Sequence, residues 1–104
     1  MYIQEGDNMA FGRKVIRLQL RFTGWVQGVG FRYRATYAAR RMNCTGWVEN
    51  EPDGSVSMEI QGTQEAIDQV ILAIERGTYV RIENMSCREI PVESGESGFG
   101  VRGD

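Results

Sequence analysis

The stretch GWVQGVGFRYR, residues 24–34, lies where an alternating apolar pattern gives way to a helical one. Before it, apolar residues at every second position predict a strand over residues 15–26, with the intervening polar side chains, Arg17 among them, on the exposed face. After it, apolar residues three and four positions apart predict a helix over residues 31–42. The glycines of the stretch therefore occupy a strand-to-helix turn.

The rest of the chain predicts four more elements and a short end piece. They are a hairpin of strands 45–50 and 55–61, a helix between Thr63 and Gly77, a strand over 79–92 with a bulge near Glu83 and Asn84, and a last apolar pair, Phe99 and Val101. This order predicts an α+β domain of the ferredoxin-like, split βαβ (βαββαβ) type. Two helices then pack on one face of a four- to five-stranded, mainly antiparallel sheet.

The predicted topology has a consequence for the glycine turn. In a βαβ unit the crossover makes the two strands parallel, so that their C-terminal ends lie at the same edge of the sheet. We therefore expect residues 26–32 to meet Asn50, which is distant in sequence.

The chain has 104 residues, which is enough for one domain with one core. Residues 1–14 show no periodicity and are expected to form a flexible tail, and residues 15–104 are expected to form the domain. The first ten residues lack the apolar run of a secretory signal, and no stretch is long enough to cross a bilayer. We expect a monomeric cytoplasmic protein with no membrane partner.

Charge and composition exclude several classes of partner. Lys and Arg number 12 and Asp and Glu 14, giving a net charge of −2, so there is no general attraction for nucleic acid and any anion site must be local. The chain has no histidine, and Cys44 and Cys87 are far apart, so that the usual zinc sets are out of reach. We expect no metal and no cofactor. Two buried thiols are favoured, and a disulfide between them is left open.

The turn itself has two interpretations. The N-terminus of a helix exposes unpaired amides, Gly28 and Gly30 allow the backbone to approach a ligand closely, and Arg32 offers a planar set of donors that fits two phosphate oxygens. Together these features favour a cradle for phosphate or carboxylate. A plain connecting turn with a solvated arginine fits the same residues about equally well. A dinucleotide fingerprint and a P-loop are both excluded, because Tyr33 stands where the former needs glycine and no Gly-Lys-Ser/Thr follows.

Two motifs taken together are more specific. GWVQGVGFR (24–32) and TGWVENEPDGSV (45–56) strongly resemble the acylphosphatase family, which has a G-x-V-Q-G-V-x-F-R loop followed, after one helix, by a G-W-V-x-N strand and a D-G turn. The resemblance covers the chain from about Val15 to Val101. It implies the same ferredoxin-like fold, and hydrolysis of the carboxyl-phosphate bond of a small acyl phosphate to a carboxylate and inorganic phosphate.

The resemblance also implies roles for individual residues. The phosphate-binding loop would comprise Gln27, Gly28, Val29, Gly30, Phe31 and Arg32. Arg32 would bind the phosphate and Asn50 would position the attacking water. The alternative function is a non-catalytic ferredoxin-like module that binds a phosphorylated ligand. An RNA-binding function is disfavoured, because the strands lack the necessary aromatic pattern.

Overall fold

The computed structural model describes residues 9–10 and 13–103. Its elements, in chain order, are β1 (Met9–Ala10), β2 (Arg13–Trp25), α1 (Phe31–Arg41), β3 (Thr45–Asn50), β4 (Val56–Thr63), α2 (Gln64–Glu75), β5 (Arg81–Ile90) and β6 (Phe99–Arg102). Neither helix of the described chain is long and apolar enough to cross a membrane.

The sheet has the predicted ferredoxin-like order. Its main strands lie in the order β5, β2, β4, β3, β6, and all neighbours are antiparallel except β3 and β6, which are parallel. The apolar sides of α1 and α2 pack on one face, against a core that includes Leu20 and Phe22 of β2 and Met58 of β4. The prediction of two helices on one face of a mainly antiparallel sheet is confirmed.

The start of β2 differs from the prediction. The strand begins at Arg13, two residues earlier than expected, and Met9–Ala10 pairs with its first two residues. The rest of the predicted tail, residues 1–8 and 11–12, lies outside the described residues. The division of the chain into a tail (1–14) and a domain (15–104) stays a prediction.

The predicted start and end of α2 and the predicted bulge in β5 are confirmed. The Thr63 hydroxyl accepts a hydrogen bond from the Ala66 amide at 3.2 Å and caps α2. Gly77 follows the end of α2, and a Cβ there would lie 2.8 Å from Nε of Arg34. In the β2–β5 pairing Thr23 faces Asn84 and Gly24 faces Ile82, so that Glu83 is the extra residue of a bulge.

The burial of Arg17 contradicts the prediction that the polar side chains of β2 lie on an exposed face. Arg17 lies on the face away from the helices, yet only 1% of its surface is exposed. Residues 91–98 fold across this end of the sheet, and Arg17 donates to Oε1 of Glu59 at 2.9 Å and to Oε1 of Glu96 at 2.8 Å. Gln61 holds the same segment through two hydrogen bonds with the backbone of Glu93, at 3.0 and 2.8 Å. The alternating pattern could not predict this cover, because residues 91–98 are distant in sequence.

The Arg17–Glu96 pair makes the fold sensitive to acid. Burial raises the pKa of Glu96, but the hydrogen bond and charge of Arg17, together with the side chain of Thr45, lower it by more, so that the net pKa lies below the usual 4.5. A lowered pKa stabilises the folded state fully above about pH 5, and this contribution is lost as the pH falls through the folded-state pKa. We expect Glu96→Gln to lower the free energy of unfolding by about 1.5 kcal/mol at pH 7 and to flatten its decline in acid.

Urea unfolding between pH 7 and pH 3 measures this effect. Glu93→Gln is the matched control, because Glu93 lies in the same segment but its side chain is exposed and its backbone makes the contact with Gln61. If the free energy of unfolding falls between pH 7 and pH 3 by the same amount in Glu96→Gln and in the unmodified protein, Glu96 is not the source of the acid sensitivity.

The last strand is held to the domain by α1 and β3. Phe99 is buried, Nε of Arg40 donates to the Phe99 carbonyl at 3.0 Å, and the Gly46 amide donates to the Gly98 carbonyl at 3.1 Å.

Both cysteines are free thiols: Cys44 is buried, whereas Cys87 is exposed on β5. The expectation of two buried thiols is therefore correct for Cys44 and wrong for Cys87.

Candidate active site

One edge of the sheet brings the two motifs together. Both β2 and β3 run antiparallel to β4, so they are parallel to each other, and their last residues, Trp25 and Asn50, lie at the same edge. The N-terminus of α1 follows β2 after a five-residue loop, residues 26–30, and begins at this edge too. The loop reaches the end of β3, since the side chain of Gln27 donates a hydrogen bond to the carbonyl of Glu51, the residue after Asn50. That the loop and Asn50 form one site stays a prediction.

The loop needs its glycines for their backbone angles. Gly28 and Gly30 have φ of 73° and 85°, in the left-handed region that other residues adopt only with strain. A Cβ at either position would meet no atom of the described chain within 4 Å. Conformation, and not crowding by the chain itself, is therefore what requires glycine at both positions.

Apolar side chains anchor the loop at both ends. Val26 and Phe31 are buried, and Val29 packs against the core. The ring of Phe31 meets that of Phe22 edge to face, with centroids 4.9 Å apart. The exposed residues between these anchors are Gly28 and Gly30. The backbone amides of the loop are thus carried on a support that the core holds in place.

The N-termini of the two helices differ in a way that bears on anion binding. Helix α2 has the side-chain cap of Thr63 and an acid, Glu65, in its first turn. Helix α1 starts at left-handed Gly30 with no side-chain cap and no acid in its first turn, and its first helical hydrogen bond joins the Arg34 amide to the Gly30 carbonyl at 3.0 Å. The amides ahead of Arg34 have no partner in the helix, so they and the helix dipole favour an anion at this end of α1.

Arg32 and Asn50 are the two polar side chains that the motifs single out. Arg32 lies in the first turn of α1 and Asn50 is the last residue of β3, and both are half-buried. The Oδ1 atom of Asn50 is buried and has no hydrogen-bond partner among the described residues. Leaving a buried acceptor unpaired costs about 1–3 kcal/mol.

A tight turn follows Asn50 and is braced by its own side chains. The Asp53 carboxylate accepts hydrogen bonds from the amide and the hydroxyl of Ser55, at 2.9 and 2.7 Å, and it also pairs with Arg21. The bonds from Ser55 lower the pKa of Asp53. Ser55 is itself buried, and nothing in the sequence pattern had marked it. These hydrogen bonds therefore fix the backbone conformation of the turn that faces the loop.

The other arginines of α1 have structural contacts. Nη1 of Arg34 donates to the Ala73 carbonyl near the end of α2 at 3.0 Å, and Arg40 docks β6. The guanidinium of Arg41 lies over the ring of Tyr37, 5.8 Å from its centroid.

Within residues 9–10 and 13–103, no three side chains of the types that bind metals come together as a ligand group.

Comparisons with known proteins agree on one family. The family model described as Acylphosphatase matches residues 18–101. A curated acylphosphatase of Salinibacter ruber is 41% identical over 87 residues, which are 83% of this chain and 92% of that protein.

Solved structures point the same way. The crystal structure of acylphosphatase from Bacillus subtilis matches with a TM-score of 0.76 at 29% identity, over 83% of this chain and 97% of that one. Full-length HypF, in a phosphate- and nucleotide-bound form, matches with a TM-score of 0.77 at 28% identity, but this likeness covers 86% of the present chain and 12% of HypF.

Proposed function

The chain belongs to the acylphosphatase family and hydrolyses the carboxyl-phosphate bond of acyl phosphates, and we propose that the loop of residues 27–32 and Asn50 form its active site. The observation that carries this proposal is the start of α1. It lacks the cap and the acid that α2 has, it follows two left-handed glycines, and it carries Arg32 in its first turn.

In the proposed site the loop holds the phosphoryl group. The amides of residues 27–32 surround its oxygens, and the Arg32 guanidinium binds two of them with parallel hydrogen bonds. Phosphoryl transfer depends chiefly on positioning and on stabilising charge at these oxygens. Amides that the core holds in place supply that stabilisation without reorganising during the reaction.

Asn50 positions the water that attacks phosphorus. Its buried Oδ1, unpaired among the described residues, is suited to accept a hydrogen bond from that water. The attack forms a new P–O bond and breaks the bond to the carboxylate, which leaves with its electron pair. The water's proton passes to a phosphoryl oxygen of the substrate, as the likeness to the family implies.

The leaving group decides which substrates such a site can use. A carboxylic acid has a pKa of about 4, so that a carboxylate departs at neutral pH without a general acid. The alkoxide of a phosphate monoester is a far poorer leaving group and would need one. The proposed site therefore acts on acyl phosphates and discriminates against monoesters.

Hydrolysis of benzoyl phosphate by the purified protein tests the proposal. We expect benzoate and inorganic phosphate in equal amounts, also in the presence of a chelator, and little hydrolysis of an alkyl phosphate monoester such as glycerol phosphate under the same conditions. Inorganic phosphate should inhibit the reaction and raise the melting temperature, because it binds the folded state. A protein that phosphate stabilises but that hydrolyses neither compound would be the alternative, a binding module without turnover.

The proposal extends to the state and location of the protein. We propose that it acts as a cytoplasmic monomer. We also propose that it has no nucleic-acid partner, because its positive and negative charges nearly balance. Sedimentation equilibrium of the purified chain checks the oligomeric state.

A further inference from the structure

We propose that the side chain of Gln27 is a positioning residue that sets the distance between the phosphate loop and Asn50; this inference rests on the proposed function. Its Nε2 donates two hydrogen bonds, to the Glu51 carbonyl at 2.8 Å and to the Ser55 carbonyl at 2.9 Å. An amide nitrogen has two hydrogens, so both of its donors are used. The side-chain nitrogen of Gln27 is therefore directed at the turn after β3.

The two carbonyls lie at the two ends of that turn. The Glu51 carbonyl also accepts from the Gly54 amide at 3.1 Å, and the Ser55 carbonyl from the Glu51 amide at 2.8 Å. The turn thus closes through its own backbone, with further support from Asp53. What Gln27 adds is the connection of the closed turn to the loop.

That connection is made next to Asn50. Glu51 directly follows Asn50, and Asn50 pairs with Val56, the residue after Ser55. Gln27 therefore binds the hairpin turn at both of its ends, one residue beyond the last pair of the two strands, Asn50 and Val56. On the loop side its backbone is held between buried Val26 and left-handed Gly28. The side-chain amide of Gln27 thereby fixes the position of the loop relative to Asn50.

Loss of this amide should affect turnover more than binding. The phosphate cradle is built from the loop and Arg32 and keeps its apolar anchors, whereas the line from water to phosphorus needs Asn50 at a fixed distance. A displacement of about 1 Å at a reacting group can cost about a hundred-fold in rate. We expect Gln27→Met, which keeps the length of the side chain but cannot donate, to lower kcat for benzoyl phosphate about 10- to 100-fold. Inhibition by inorganic phosphate should change by less than about threefold.

Gln61 offers a matched control in the same fold. It also holds a distant segment through two hydrogen bonds with backbone atoms, those of Glu93, but it lies at the far end of β4. Gln61 lies five positions along the strand from Val56, or about 17 Å away. Gln61→Met should lower the melting temperature and leave kcat unchanged, which separates positioning from general stability.

Two further measurements show whether Gln27 acts through Asn50. In a double-mutant cycle, Gln27→Met should cost little more activity once Asn50 is already alanine. Gln27→Glu, checked for folding by circular dichroism, carries a carboxyl that faces two carbonyl oxygens, which raises its pKa. Its protonated form can donate to one of them, so kcat of Gln27→Glu relative to the unmodified protein should rise as the pH falls.

The inference is overturned if Gln27→Met turns over normally, if kcat and phosphate affinity fall together, or if the loss is as large in the Asn50→Ala background. If Gln27→Met does not fold, a pH profile of Gln27→Glu parallel to that of the unmodified protein overturns it equally. Absence of hydrolysis by the unmodified protein would instead refute the proposed function, so the two failures are distinguishable.

Discussion

Arg32→Ala is expected to lose nearly all acyl phosphate hydrolysis and most affinity for inorganic phosphate. A hydrogen bond to a charged group contributes about 1.5–3 kcal/mol, which corresponds to a loss of about 10- to 150-fold in phosphate binding. The same guanidinium would face the charge that spreads over the phosphoryl oxygens in the transition state. Removal of one such stabilising donor lowers kcat by about a further 10²- to 10³-fold. Steady-state hydrolysis of benzoyl phosphate and calorimetric titration with phosphate measure the two losses.

Two variants of the same helix test the reason for this loss. Arg32→Lys keeps the charge but loses the planar pair of donors, so it should recover only part of the phosphate affinity. Arg41→Ala removes an exposed arginine that lies over Tyr37, and it should behave like the unmodified protein. If Arg41→Ala loses as much activity as Arg32→Ala, general attraction of the substrate by positive charge explains the effect better than a specific contact.

The fold follows largely from signals that are local in the sequence. The period of the apolar residues of β2, the cap at Thr63 and the stop at Gly77 each act within a few residues, and the strand and the helix ends that they predict are confirmed. The bulge at Glu83 also left a local trace, because the apolar parity of the strand changes there. Once the order of elements is known, the parallel crossover brings Asn50 to the edge of the glycine loop without further information.

What could not be predicted depends on partners far away in the sequence. Arg17 has the pattern of an exposed strand residue, and only the cover by residues 91–98 buries it. The Gln27 side chain reaches carbonyls 24 and 28 residues away. Arg40 likewise binds a carbonyl of β6, 59 residues away. Periodicity reports which face of an element is apolar, but it does not report which backbone carbonyl a polar side chain will meet.

Asn50→Ala is expected to bind phosphate nearly normally and to turn over about a hundred-fold more slowly, because the attacking water loses its alignment while the loop and Arg32 remain. The stability of this variant carries additional information. Oδ1 of Asn50 is buried without a partner among the described residues, and a buried polar atom of this kind opposes folding. Its removal should leave the melting temperature unchanged or raise it slightly.

Measurements of kcat, of phosphate affinity and of the melting temperature on one preparation decide between two roles for Asn50. A residue whose main role is to close the turn would lose stability and activity together on replacement by alanine. A residue that is retained for the reaction would lose kcat alone, since strained or unsatisfied groups persist at functional sites against their effect on stability. Asn84→Ala is the matched control, because Asn84 is an exposed strand asparagine beside the β5 bulge and should change neither kcat nor phosphate affinity. A melting temperature of Asn50→Ala that falls in step with its activity would make the buried oxygen a structural feature and remove the basis for assigning it the water.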